Sequence, residues 1–214
     1  MARLRPVGSG SVRQMTICIL VRHGETTFNV EGRINGDPAI LVPLSARGRE
    51  EAIQLARHIA HIRIEVCVHT RFPRTLETAQ IGLGARGQIP LVCEALLDDI
   101  NAGDLEGRPM TELGAWIEAH GPDDAFPGGE SLHDAARRFA RGLRSLAARP
   151  ERVVLAVCHE LPIRFALNAA SGSANLDQPQ HEIANATPYL FEQATLELAA
   201  EGIERLVGPG ASPS

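Results

Sequence analysis

The sequence predicts an α/β protein in which helices cover both faces of a mostly parallel central sheet, as a three-layer α/β/α sandwich. Three observations support this prediction. Short, continuous apolar runs are typical of strands that are buried on both faces. Amphipathic stretches with helical periodicity separate these runs. The chain of 214 residues is long enough for one such domain, whereas two domains would both be small.

Strand-like and helix-like stretches alternate along most of the chain. In chain order they are a strand at 15–21, a helix at 45–62, a strand at 65–69, a helix at 71–82, a strand at 89–93, a helix at 131–149, a strand at 152–158, a helix at 161–170 and strands at 187–199. Ser45 and Ser131 each precede a helix, where the hydroxyl can cap free amides of the first turn. The alternation favours parallel strands joined by crossover helices.

Three segments lie outside this alternation. Residues 100–130 are rich in Gly, Pro and Asp, with a short helix predicted around 111–120, and such a long excursion is typical of a lid or a substrate-selecting element. Residues 1–14 and 207–214 lack periodicity and are expected to be loose tails. One domain over 15–206 remains.

Composition and charge argue against several kinds of partner. The net charge is −5, and neither a long basic run nor many aromatic residues are present, so we expect no nucleic-acid partner. The apolar runs are too short to span a membrane and the N-terminus lacks the apolar core of a secretion signal, which favours a cytoplasmic protein without membrane contact. The four widely spaced cysteines are expected to be buried free thiols: Cys18, Cys67, Cys93 and Cys158.

Polar residues follow three of the predicted strands. Arg22 and His23 come after the first strand, residues 69–74 end or follow the second, and His159 and Glu160 follow the strand at 152–158. Ligands of an open parallel sheet bind beyond the carboxyl ends of its strands. Two histidines and two arginines are therefore expected to converge at one place.

Six stretches contain these residues and their surroundings. They are LVRHGETTFN (20–29), GRINGDPAILVPLSARGREEA (32–52), TRFPRTLETA (70–79), LLDDINAGDLEG (96–107), PGGES (127–131) and VLAVCHELPIR (154–164). In this order and spacing they resemble the histidine phosphatase superfamily, which includes the cofactor-dependent phosphoglycerate mutases. The resemblance covers residues 16–195 and implies a phosphoglycerate mutase-like fold.

The resemblance also implies roles for the residues after the strands. Arg22 and Arg74 would grip phosphate oxygens, for which a guanidinium offers a permanent charge and a planar fork of donors. His23 would be the nucleophile that forms a phosphohistidine, and His159 would donate a hydrogen bond to the transferred group. Gly24, which lacks a Cβ, would let the backbone turn tightly beside the site.

The leaving oxygen needs a proton, and a carboxyl group with a raised pKa can supply it. By resemblance, the family's acid region aligns with residues 97–107, and Asp99 falls where a glutamate is usual. Because aspartate is one methylene shorter, Asp98 and Glu106 remain alternatives as the acid.

Four further residues are expected to bind substrate. Thr26 and Asn29 lie in the loop after His23, where their polar side chains can line a phosphate pocket. Asn35 stands where the family often has Gln, and Glu160 stands where many relatives have Gly. A carboxylate at residue 160 would repel a phosphate unless it is turned away or paired.

The resemblance therefore implies a metal-independent phosphatase that hydrolyses a small phosphorylated metabolite through a phosphohistidine, without a bound cofactor. A phosphoglycerate mutase that uses the same intermediate is an alternative, and a catalytically weak phospholigand-binding protein is another. His58 and His61 are spaced three apart on a helix, but no further ligand follows at a suitable spacing, so no metal is predicted. A homodimer stays open because dimers are common in the family.

Overall fold

The computed structural model describes residues 15–86, 88–176 and 182–208, and the expected tail at 1–14 lies outside them. The strands within the described residues are β1 (Ile17–Arg22), β2 (Val66–His69), β3 (Leu91–Cys93), β4 (Val153–Cys158) and β5 (Pro188–Glu192). They form one sheet in the order β3-β2-β4-β1-β5. Neighbours pair in parallel except β1 and β5, which are antiparallel. The predicted mostly parallel sheet is confirmed.

Helices connect these strands as the alternation predicts. Those in the described residues are α1 (Thr27–Glu31), α2 (Ala46–His58), α3 (Pro73–Leu83), α4 (Met110–Ala119), α5 (Leu132–Ala147), α6 (Glu160–Ala170) and α7 (Gln193–Val207). Both predicted caps are confirmed, because the hydroxyl of Ser45 accepts from the amide of Gly48 and that of Ser131 from the amide of Asp134, each at 3.0 Å. None of the described helices is long and apolar enough to cross a membrane.

The inner strands β1, β2 and β4 are buried on both faces of the sheet, which explains why they are continuously apolar. Alternate residues of β1 point to opposite sides. Cys18 and Leu20 belong to the core that contains α5, α6 and α7, whereas Ile19 and Val21 belong to the core beneath α2 and α3. All four are at most 1% exposed. The three-layer α/β/α architecture is confirmed.

The prediction of strands throughout 187–199 is wrong. Strand β5 ends at Glu192, and α7 begins at once and continues to Val207. The segment after residue 192 is rich in Ala, Leu and Glu, which are good helix formers. Its buried residues recur three or four positions apart, as on one face of a helix: Leu196, Ala199, Ala200, Ile203 and Val207. The expected C-terminal tail at 207–214 thus begins within this helix, and residues 209–214 lie outside the described part.

The prediction that all four cysteines are buried is wrong for Cys93. This residue ends β3, a three-residue strand at the edge of the sheet that pairs with β2, and its side chain is exposed. The other three thiols are buried, and burial raises the pKa of Cys18, Cys67 and Cys158 to about 12 each.

The carboxyl ends of β1, β2 and β4 lie along one edge of the sheet. Arg22, the last residue of β1, is in register with Cys158, and His69 of β2 is in register with Val157. The loops that follow these three strands therefore meet above the same edge.

Two glycines hold the loop after β1 against α2. A Cβ built on Gly24 would lie 2.4 Å from the carbonyl oxygen of Gly48, and one built on Gly48 would lie 2.0 Å from that of Glu25. The backbone φ of Gly24 is not positive. Glycine at residue 24 is therefore required by the close contact with the backbone of α2, and its φ does not itself require glycine.

Gly48→Ala should lower the free energy of unfolding by about 1–3 kcal/mol, because the added methyl group overlaps backbone that cannot turn away. Urea unfolding followed by circular dichroism measures this. Gly114→Ala is the matched control, since a Cβ at Gly114 meets no atom within 4 Å and alanine favours the helix. Equal stability of Gly48→Ala and the wild type would contradict the packing argument.

Candidate active site

A cavity of about 420 Å³ opens above the carboxyl edge of the sheet. His23 and Arg22 of the β1 end line it, together with Arg74 of α3 and Asp99 from the loop after β3. The loops after three parallel strands thus deliver the predicted polar residues to one place. His159 lies just beneath, fully buried, with its ring centre 5.4 Å from that of His23.

The ring of His23 is held in one orientation. Its Nδ1 lies 2.8 Å from the carbonyl oxygen of Gly24. A carbonyl can only accept, so Nδ1 carries the proton and Nε2 keeps its lone pair. The backbone on either side is also fixed, because the amide of His23 donates to Cys158 and its carbonyl accepts from the side chain of Asn185 at 2.7 Å.

The imidazole of His23 is neutral near pH 7. Burial lowers the pKa of His23 well below 6.5, and the nearby cations Arg74 and Arg22 lower it further. The Gly24 carbonyl opposes this shift only in part. A neutral ring with a lone pair on Nε2 is the form that can act as a nucleophile.

Arg74 is the most connected side chain of the site, with 3% of it exposed. One Nη donates to the Asn35 side chain. The other donates to the Asn35 carbonyl at 3.1 Å, to Asp99 at 2.9 Å and to Nδ1 of His159 at 3.1 Å. The guanidinium also lies 4.1 Å from the centre of the Phe72 ring. Asn35, which the sequence predicts as a substrate contact, lines the cavity and also holds Arg74, and the substrate contact stays a prediction.

Arg22 is held from the opposite side of the cavity. One of its terminal nitrogens donates to the carbonyl of Ile183 and contacts the carboxylate of Glu160, each at 2.8 Å. Among the described residues, the Nε atoms of both Arg22 and Arg74 are buried and have no hydrogen-bond acceptor. Unsatisfied buried donors are rare in proteins, and two in residues that line one cavity are typical of a site for an anion.

Hydrogen bonds also define the ring state of His159. The Thr75 hydroxyl donates to the Phe72 carbonyl at 2.8 Å, and Thr70 contacts Thr75 at 3.0 Å and Nε2 of His159 at 2.9 Å. Because the hydroxyl proton of Thr75 is donated to the Phe72 carbonyl, the Thr75 oxygen can only accept from Thr70. The Thr70 hydroxyl therefore donates to Thr75 and accepts a hydrogen bond from Nε2–H of His159. Nδ1 of His159 is then the acceptor for Arg74. Burial and Arg74 lower the pKa of His159 well below 6.5, in agreement with a neutral ring.

Both ring nitrogens of His159 therefore have protein partners in this structure. The residue supports Arg74, and its expected hydrogen bond to a transferred phosphoryl group stays a prediction.

The three carboxyl groups considered as the acid have different surroundings. Asp98 is buried and accepts from the backbone and side chain of Arg71. Glu106 accepts from the amide of Asp37 at 3.0 Å and from the Asn35 side chain, also at 3.0 Å. Both of these carboxylates hold loops and are absent from the cavity lining.

Asp99 does line the cavity, with 24% of its side chain exposed. Burial raises the pKa of Asp99, while Arg74 opposes that shift. Its Oδ2 also lies 3.4 Å from Nδ1 of His159. Among these three groups, Asp99 is the one placed to give a proton to a bound molecule.

Glu160 is paired, as a carboxylate beside an anion site would need to be. It is the first residue of α6, and it contacts Arg22 and Arg164, which lies one helical turn later. Arg164 also lines the cavity, and the sequence prediction missed it. The sequence did contain a signal for this residue, because an arginine four positions after a glutamate on a helix can form an ion pair with it.

Thr26 and Asn29 line the cavity but also build α1, which the sequence did not predict. The Thr26 hydroxyl accepts from the amide of Asn29 at 3.1 Å, and the Asn29 side chain accepts from the amide of Thr26 at 2.9 Å. This reciprocal capping begins a helix of one turn. Gly24 is absent from the lining, and its amide donates to the Thr78 hydroxyl at 2.9 Å.

The excursion at 100–130 contributes one wall of the cavity, and its role as a lid or a substrate-selecting element stays a prediction. The wall is mostly apolar and is completed by residues of α1–α2, α5 and α6: Ile34, Ile100, Met110, Leu113, Ile117, Phe126, Leu132 and Leu161. The cavity thus joins a charged floor to an apolar wall. In the described part of the chain, no three His, Cys, Asp or Glu residues are grouped so as to hold a metal ion.

Comparison with known proteins identifies one superfamily and relatives that are named as phosphatases or mutases. The profile of the histidine phosphatase superfamily (branch 1) matches residues 18–200. Uncharacterized phosphatase PhoE of Bacillus subtilis is 30% identical over 74% of this chain and 79% of its own. Probable phosphoglycerate mutase GpmB of Proteus mirabilis is 32% identical over 72% of this chain and 74% of its own.

A solved structure has the same fold. YhfR of Bacillus stearothermophilus superposes with a TM-score of 0.72 over 82% of this chain and 90% of its own, at 26% identity.

Thr70→Val should lower the free energy of unfolding by about 1–3 kcal/mol, because it leaves the buried Nε2–H of His159 without an acceptor. Thr70→Ser keeps the hydroxyl and is the matched control. Urea unfolding at pH 7 compares the two variants. If the valine and serine variants were equally stable, the hydroxyl chain would not hold His159.

Proposed function

Because the chain belongs to the histidine phosphatase superfamily (branch 1), we propose that it is a metal-independent phosphatase that hydrolyses a small-molecule phosphomonoester through a phosphohistidine at His23. The superfamily membership supports a phosphate-transferring enzyme, and relatives are named both as phosphatases and as mutases. The positions of His23, Arg22, Arg74 and Asp99 support the finer proposal of a hydrolase with a histidine nucleophile.

The observation that carries the proposal is the orientation of the His23 ring. Its Nδ1 donates to the Gly24 carbonyl, so the lone pair on Nε2 is the one available to a phosphorus atom in the cavity. When Nε2 forms a bond to phosphorus, the ring becomes cationic, and the Gly24 carbonyl stabilises the proton on Nδ1.

The two arginines account for binding of the phosphoryl group. Arg22 and Arg74 both line the cavity, and their permanent charge would attract the oxygens of a phosphoryl group bound there. Each also has a buried Nε donor without an acceptor among the described residues. Charge spreads over those oxygens during transfer, so fixed guanidinium groups stabilise the transition state. Because Arg74 is already fixed by Asn35 and His159, it does not reorganise when substrate arrives.

Asp99 accounts for the leaving group. As the ester P–O bond breaks, the departing oxygen takes the electron pair of that bond and a proton from the Asp99 carboxyl group. The resulting Asp99 carboxylate then accepts a proton from water, which attacks phosphorus. The Nε2–P bond breaks, its electron pair returns to the imidazole, and inorganic phosphate leaves.

His23→Ala should abolish both phosphate release from p-nitrophenyl phosphate and incorporation of acid-labile phosphate into the protein, because the bond-forming nitrogen is lost. Both quantities are measured on metal-free protein, together with urea unfolding to show that the fold is kept. His61→Ala removes an exposed histidine that does not line the cavity and should behave like the wild type. Undiminished turnover of His23→Ala would exclude this residue as the nucleophile.

The same assay separates hydrolysis from mutase activity. With 3-phosphoglycerate, isomerisation without phosphate release would support the mutase instead, and saturable binding without turnover would support a binding protein.

Asp99→Asn should slow phosphohistidine formation from an alkyl phosphate by about 10²–10⁴-fold and that from p-nitrophenyl phosphate much less, since p-nitrophenolate departs without a proton. In the wild type the alkyl reaction should decline as pH rises through the raised pKa of Asp99, which removes the acid. It should also decline in acid well below pH 6.5, where His23 gains a proton. The variant should lose the alkaline decline.

Rapid-quench measurements against pH test the role of Asp99. Asp98→Asn is the matched control, because Asp98 bonds Arg71 and should not change the dependence on leaving group. Equal slowing of the two substrates by Asp99→Asn would show that Asp99 is not the proton donor.

A further inference from the structure

Glu160 places a second carboxyl group, in addition to Asp99, in the lining of a cavity that also contains the arginines of the candidate anion site. Its carboxylate lies 2.8 Å from Arg22 and also contacts Arg164, and all three residues line the cavity. About 31% of the Glu160 side chain is exposed. It therefore faces any molecule that binds above His23.

The carboxylate occupies the cations that a second anionic group of a substrate would need. The Arg22 nitrogen that contacts Glu160 also donates to the Ile183 carbonyl, so its acceptors come from the protein. Arg164 is bound to the same carboxylate one helical turn away. A substrate carboxylate or second phosphate that reached these arginines would have to displace Glu160, and the displaced charge would still lie beside it.

One further arginine lines the cavity, Arg33, and it already donates to the Gly107 carbonyl at 2.8 Å and pairs with Glu31 at 3.2 Å. Much of the remaining wall consists of apolar side chains, with Met110, Leu113 and Ile117 on α4 and Phe126 and Leu161 beside them. An anionic group placed against such side chains loses hydration without gaining a hydrogen bond. An uncharged, largely apolar group gains from the same contact.

We propose that Glu160 is a specificity-determining residue that restricts the enzyme to phosphomonoesters of uncharged, largely apolar alcohols and rejects those with a second anionic group. This inference rests on the proposed phosphatase function. The substrate class is defined by charge. The single phosphoryl group would bind beside the arginines, and the uncharged remainder of the substrate would lie between Glu160 and the apolar wall.

The test uses two substrates that differ by one charge and little else, 4-carbamoylphenyl phosphate and 4-carboxyphenyl phosphate. The ratio of kcat/KM for the amide to that for the carboxylate is measured for the wild type and for Glu160→Gln. Glu204→Gln is the matched control, because Glu204 is a similarly exposed partner of an arginine, Arg144, on helices away from the cavity. It makes the same change in net charge.

The wild type should prefer the amide by about tenfold or more, the effect expected of one like charge within a few ångströms at a protein surface. Glu160→Gln should bring the ratio close to one, and Glu204→Gln should leave it unchanged. A ratio that Glu160→Gln does not alter, including an equal loss on both substrates, would overturn the proposal. So would a wild type that uses both substrates equally.

A measurement on the wild type alone covers the case in which Glu160→Gln does not fold. Raising the ionic strength to about 1 M shortens the screening length to about 3 Å, so the preference for the amide should weaken if it comes from charge. A preference that salt leaves unchanged would overturn the proposal. If neither substrate releases phosphate with any form of the protein, the proposed phosphatase function itself fails, which is a different result from an unchanged ratio.

Discussion

Burying the guanidinium of Arg74 beneath the cavity requires acceptors for its donors, and that requirement organises the surrounding chain. The acceptors come from three segments that are distant in sequence: Asn35 after α1, Asp99 after β3 and His159 after β4. His159 can accept only because the Thr70 hydroxyl takes its other nitrogen. An unpaired buried cation would cost several kcal/mol, so the loops that carry these acceptors are held where the site needs them.

Carboxylates within the cavity already neutralise part of the positive charge of its arginines. Asp99 and Glu160 each accept from a cavity arginine, so much of the cationic charge is already balanced before a substrate arrives. The Nε groups of Arg22 and Arg74 are buried and have no acceptor among the described residues. In the proposed reaction, the negative charge of a bound phosphate would favour protonation of Asp99 beside it, so that substrate binding would help to keep the proposed acid protonated.

The fold and most of the candidate site could be predicted from the sequence, for physical reasons. The fold is predictable because continuous apolar strands and capped amphipathic helices are local sequence patterns. The site is predictable because the carboxyl ends of parallel strands lie at one edge of a sheet, so that the residues following them, Arg22, His23 and Arg74, are expected to lie close together. Helix α7 was missed because its first residues continue directly from β5, with no turn signal between them. The pairing of Glu160 and the neutral state of His159 depend on three-dimensional contacts that no local pattern encodes.

The last part of the chain completes the site at its first strand. The carbonyl of Ile183 holds Arg22 and the side chain of Asn185 holds the backbone of His23, contacts that join residues 161 and 162 positions apart. Strand β5 then pairs along β1. During synthesis on the ribosome, His23 and Arg22 would therefore emerge before the residues that brace them, and both would stay unbraced until Ile183, Asn185 and strand β5 dock. The ordered arrangement of these two side chains would therefore form late in folding, because the contacts that brace them join parts of the chain that are distant in sequence.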